Sequence, residues 1–111
     1  MSKRGHDRER RVADWLRDRD WVVVRAAGSF GPADLVALRA GSTPLLVEVK
    51  TTISPYSHFL PADRARMLKA AELAGADATL AWWPSRGSLV WIDASAWPVK
   101  LEAVEPGELV A

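Results

Sequence analysis

Cysteine is absent from this chain of 111 residues, which excludes disulfides and thiolate metal sites. No run approaches the ~18 consecutive apolar residues of a membrane-spanning helix. The basic N-terminus has no apolar stretch behind it, so it does not read as a secretory signal. Net charge is low, at +1, and no repeat or low-complexity tract appears. These absences leave a cytoplasmic protein without a membrane partner as the expectation.

Hydrophobic residues make up 49% of the chain and charged residues 26%, an ordinary globular composition. The length suits a single domain over 1–111. Charge is unevenly spread. Residues 1–100 carry fifteen bases against eleven acids, or +4, whereas 101–111 hold three glutamates and no base. Lys3, Arg4, Arg8, Arg10 and Arg11 crowd the start against Asp7 and Glu9. A basic arm over 1–6, continuing into a basic helix, suits phosphate contacts. A solvated helix face is the plainer reading of such a charge run. The tail, 98–111, mixes apolar residues with glutamate.

Glu9, Val12, Ala13 and Leu16 follow helical i, i+3, i+4, i+7 spacing, predicting a helix over about Asp7–Arg19. Glu9 then lies on or beside the apolar face, an odd place for a carboxylate. Trp21–Ala26 is short and β-branched and reads as a strand. Asp34–Arg39 and Pro44–Lys50 are two more, the second with proline at its start, where no ladder donor is needed. A second helix opens at Pro61, with Asp63 in its first turn and Gly75 past its end. Ala78–Trp83 and Ser88–Asp93 complete an order α-β-β-β-α-β-β. That order suggests an α/β fold with a central mixed five-stranded sheet flanked by helices, or a one-sided α+β sandwich.

Glu48 and Lys50 stand two apart in LLVEVKTT, so they share a face of an otherwise apolar strand. Alone, E-x-K means little. Here a buried charge demands a partner. Asp34 starts the neighbouring strand, and Glu9 projects from the apolar side of helix one. Three carboxylates converging on a sheet edge repel one another unless a cation joins them. Oxygen ligands without histidine or cysteine select Mg²⁺ or Mn²⁺. Such an ion beside a lysine suits hydrolysis of a phosphodiester, with the metal activating water and the lysine steadying developing charge.

Register tests this expectation. A two-residue turn at Gly41–Ser42 sets Asp34 opposite Val49, on the wrong face. A three-residue loop, Gly41–Thr43, sets it opposite Lys50 and on the same face as Glu48. The metal-site reading requires an odd loop or a bulge.

With Pro32-Ala33-Asp34 and Glu48-x-Lys50, the chain resembles the PD-(D/E)XK nuclease superfamily. KRG at Lys3–Gly5, Glu9-Arg10, VVVRAAGS at Val22–Ser29, DLVAL at Asp34–Leu38 and VEVK at Val47–Lys50 narrow the resemblance to the archaeal-type Holliday junction resolvases (Hjc), which also occur in phages. It covers about residues 3–93 and implies a restriction-endonuclease-like core. It further implies a Mg²⁺-dependent homodimer that nicks opposing strands of four-way DNA junctions. By that resemblance Asp34, Glu48 and the Val49 carbonyl hold the metal, and Glu9 acts through the metal or its water. Lys50 assists the attacking water, while Arg10, Arg25 and Ser29 hold the scissile phosphate or its neighbours. The second helix departs from the pattern, with alanines at 65, 70, 71 and 74 where bulkier residues are expected.

Plainer readings stand beside these. Glu48 and Lys50 could be an edge-strand ion pair, Ser29 a turn-former, and His58 solvent-facing rather than a base or phosphate donor. Consecutive Trp82 and Trp83 point to opposite faces, so one is expected outside, as dimer surface or as a stacking platform for DNA. Another nuclease of the superfamily and a non-cleaving DNA-binding module remain alternative functions.

Overall fold

Two helices sandwich a five-stranded sheet whose spatial order follows the chain, β1-β2-β3-β4-β5. The computed structural model describes residues 3–26, 31–51, 59–83 and 89–96. The elements are α1 (Lys3–Arg17), β1 (Val22–Arg25), β2 (Leu35–Leu38), β3 (Leu45–Lys50), α2 (Pro61–Ala74), β4 (Asp77–Trp82), β5 (Val90–Asp93) and a 3-10 turn (Ala94–Ala96). Every pairing is antiparallel except β3–β4, which is parallel across the α2 crossover. The mixed sheet is as expected, and helices on both faces rule out the one-sided sandwich.

α1 begins four residues before the expected Asp7 and stops two before Arg19. Its buried face is Glu9, Val12, Ala13 and Leu16, as the spacing requires. It ends in a turn in which Trp21 N–H donates to Leu16 O (3.1 Å) and Asp20 takes the left-handed conformation (φ 68°), which Asp tolerates better than most residues. α2 has Pro61 in its first turn and closes on Gly75 (φ 63°), whose N–H reaches the Ala71 and Glu72 carbonyls. This is the proline-start, glycine-stop arrangement. Arg64 locks α2 down by donating to Ala94 O (3.0 Å) and Ser95 O (3.3 Å).

Strand alternation divides the core in two. Leu35, Ala37, Leu45, Val47, Ala81 and Trp91 meet Val12, Ala13 and Leu16 on the α1 side. Leu46, Ala78, Leu80 and Ile92 meet Met67 and Ala71 on the α2 side. Each fully buried Leu, Val, Ile or Met contributes about 1.5–3 kcal/mol. Among the described residues the one buried hydroxyl, that of Thr79, donates to Ile92 O at 3.0 Å. Trp82 and Trp83 do take opposite faces, but neither stands outside. Trp82 packs into the α2-side core. Trp83 packs into the α1-side core, with the Arg8 guanidinium 4.8 Å from its ring centre.

The β2–β3 register pairs Leu35 with Val47, Val36 with Leu46 and Ala37 with Leu45. Continued one step, it sets Asp34 opposite Glu48. The same-face demand is met, but six residues, Arg39–Pro44, separate the strands and not the three expected. Arg39 explains the longer loop. Its carbonyl accepts from Ser42 N–H (3.0 Å), its Nε donates to Ser42 Oγ (3.0 Å), and Gly41 supplies a positive φ of 76°.

Candidate active site

β3 carries the site because it is the central strand. On it, Leu45, Val47 and Val49 turn to α1, so Leu46, Glu48 and Lys50 turn to α2. The strand begins apolar and ends polar, with Glu48 and Lys50 half-buried. Lys50 Nζ lies 3.2 Å from Glu48 Oε2 and 5.5 Å from the Phe59 ring centre.

Asp34 is fastened to the same edge from β2. Its N–H donates to Val47 O (2.9 Å), and its Oδ2 accepts from Val49 N–H (2.8 Å). Trp83 N–H donates to Lys50 O (2.9 Å). In a parallel pair this means Lys50 and Glu48 direct their backbone groups to β4. Val49 therefore directs both N–H and C=O toward β2 and Asp34. The Val49 carbonyl thus lies on the side of β3 that faces Asp34.

Asp34 and Glu48 line a cavity of about 150 Å³ with Gly31, Pro32, Ala33, Phe59, Asp63 and Arg66. Burial raises the Asp34 carboxyl above its usual range, while the Val49 N–H bond and Lys50 pull it back. Burial also raises Glu48, to about 7, with the Asp34 carboxylate adding to the effect and Lys50 opposing it. Two shielded carboxylates that each resist ionisation form an electrostatically strained pair. A hard divalent cation relieves that strain, and two carboxylates and a backbone carbonyl are the oxygen donors it favours. The residues present fit such an ion.

Glu9 does not join that pair. It is 5% exposed on the α1 side, where its Oε1 lies 3.5 Å from Arg25 Nη2. Among the described residues, no three His, Cys, Asp or Glu side chains stand close enough to share one metal ion. The reason is the alternation: β3 presents Glu48 to α2, whereas α1 brings Glu9 to the other face. The expected convergence of three carboxylates is thus replaced by two clusters, Asp34–Glu48–Lys50 and Glu9–Arg25.

The basic residues are dispersed. Arg10 pairs with Asp7 at 3.7 Å on the surface, Arg11 is exposed, and Arg8 covers Trp83. Lys3 and Arg4 belong to α1, but their side chains, like Ser29, His58 and the tail, lie outside the described residues. Sequence reasoning missed Phe59, Asp63 and Arg66 as cavity walls. Asp63 and Arg66 are three apart on α2, and that helical spacing was the available signal.

A mixed five-stranded sheet between two helices, with Asp34 just before β2 and Glu48-x-Lys50 on β3 beside a polar cavity, is the restriction-endonuclease-like fold. The archaeal Holliday junction resolvase (Hjc) family model matches residues 1–108, and the chain belongs to that family, whose members process branched DNA in recombination and repair. Among solved structures it is similar to Hjc of Archaeoglobus fulgidus, a Holliday junction resolvase from an archaeal hyperthermophile. The two share 23% identity at a TM-score of 0.72, over 82% of this chain and 78% of that one. No curated protein matches the chain. Among the described residues, no helix is long and apolar enough to cross a membrane.

Proposed function

We propose that this resolvase is a homodimeric, Mg²⁺-dependent endonuclease, with Mn²⁺ able to substitute, that nicks opposing strands of a four-way junction symmetrically. The observation that carries the reading is the Asp34–Glu48 pair at the cavity floor with Lys50 beside it. Asp34, Glu48 and the Val49 carbonyl would hold the ion, and Glu9, on the α1 side, would act on it only through water. When bound, the ion supplies Lewis-acid activation of water and neutralises phosphate charge.

The chain's own groups do the rest. Val49 N–H fixes one Asp34 oxygen and so aims the other into the cavity. Lys50, 3.2 Å from Glu48, orients the attacking water and steadies negative charge as it builds on the phosphate. Glu9 holds Arg25 by their ion pair, and the Arg25 side chain, 36% exposed, can still meet a phosphate. Arginine suits this because its planar fork matches phosphate oxygens. Arg10, Ser29, Lys3, Arg4, Arg8 and Arg11 extend the phosphate contacts along α1 and the loop after β1. The single domain, 1–111, works in the cytoplasm, the basic stretch at 1–6 running into α1 and the tail spanning 98–111.

Two active sites related by a two-fold axis match a junction with its own two-fold symmetry. The exposed Val22, Val24 and Leu38, which α2 leaves uncovered, are the kind of apolar surface that association can bury. Incubation with four-way junction, linear duplex and flap DNA, in Mg²⁺ or EDTA, tests the reading. Paired nicks on the junction alone are expected. Equal cutting of linear duplex would instead indicate another nuclease of the superfamily, and tight binding without cutting a non-cleaving module.

A further inference from the structure

The cavity above Asp34 and Glu48 has a wall that the strand motif does not supply. α2 sets Asp63 and Arg66 along it, one turn apart. Three of the lining residues are acidic, Asp34, Glu48 and Asp63, and among the described lining residues only Arg66 is cationic. Arg66 is not spent on Asp63, since no ion pair joins them among the described residues. Its Nη2 donates instead to Gly31 O (3.1 Å), immediately before Pro32-Ala33-Asp34. That bond uses one of the five guanidinium N–H donors, and the residue remains exposed. Arg64, by contrast, is committed to Ala94 and Ser95, which fixes the helix that presents Arg66.

Charge makes the position consequential. A phosphate entering this cavity meets three carboxylates. Lys50 and one divalent cation together only balance them, so the mouth attracts an anion through Arg66. The geometry points to Arg66 as a DNA-phosphate contact at the mouth of the active site: stapled to Gly31 by one N–H, it offers the others to a backbone phosphate lying across the cavity. This rests on the nuclease reading above, and it adds a contact from α2 to those on α1 and β1.

The staple could be purely structural, and charge separates the two roles. Arg66→Gln removes the charge and Arg66→Lys keeps it, while both side chains end short of the Nη2 that reaches Gly31 O. Junction binding is measured by anisotropy in EDTA across a salt series, well below the melting temperature, for wild type, Arg66→Gln, Arg66→Lys and Lys69→Gln. Losing one phosphate contact lowers the slope of log affinity against log salt by about 1. That loss is expected in Arg66→Gln, with the slope kept in Arg66→Lys. Lys69, exposed on α2 and outside the cavity lining, should give a wild-type slope as Lys69→Gln. An unchanged slope in Arg66→Gln, or an equal loss in Lys69→Gln, would overturn the assignment. Cleavage by the wild type is read separately. A wild type that binds but never cuts contradicts the proposed function while leaving the slope test of Arg66 intact.

Discussion

Glu48 is where the fold and the chemistry compete most directly. Its carboxyl is raised from 4.5 to about 7, chiefly by burial. Between those values the folded chain holds a proton that the unfolded chain has released, so stability falls as pH rises through the window. The loss is on the order of 3 kcal/mol at most for this group. A divalent cation binds the ionised form and reverses the trend. Melting curves at about pH 5 and pH 8 should therefore show a larger Mg²⁺ stabilisation at the higher pH. In EDTA the protein should melt lower at pH 8 than at pH 5, and Glu48→Gln should flatten that difference. Arg66 belongs at this scale too: its effect is on binding and its salt dependence, with the fold undisturbed.

At the scale of elements, the β2–β3 pair determines which side chains meet. Gly41 (φ 76°) allows the six-residue loop that sets Asp34 and Glu48 on one face, and a Cβ there would touch nothing within 4 Å. Gly41→Ala should therefore cost about 1 kcal/mol of stability from backbone conformation alone, read by denaturant melts, and leave cleavage intact because the register is held by the strands. Much of this level was legible in the chain. Alternation at Leu45–Lys50 and the proline and glycine bounding α2 are local signals, and the elements formed where they pointed. The placement of Glu9 was not legible. Helical periodicity puts it on the buried face of α1, but only the sheet decides which of its faces that helix covers. Asp63 and Arg66 were missed for a related reason. The nuclease motif runs along two strands, whereas these residues reach the cavity through the β3–α2–β4 crossover. The outward tryptophan failed because both faces of β4 are covered, so Trp82 and Trp83 each find a core.

In the proposed homodimer, two sites act on two strands. A mixed dimer of one wild-type and one Asp34→Asn subunit should nick one strand of a junction and leave its partner strand whole, as read on denaturing gels. Nicking of both strands by that mixed dimer would show that one site serves both. The central claim is that Asp34, with Glu48 and Lys50, performs the cutting while other surfaces hold the DNA. Asn at 34 can still accept from Val49 N–H, so the β2–β3 edge survives while the carboxylate that would hold the ion is lost. The most direct measurement compares wild type and Asp34→Asn on one four-way junction in Mg²⁺, with binding and cleavage followed side by side. The account predicts near-equal binding, paired symmetric nicks from the wild type and none from the variant. Cleavage by Asp34→Asn at the wild-type rate would contradict it.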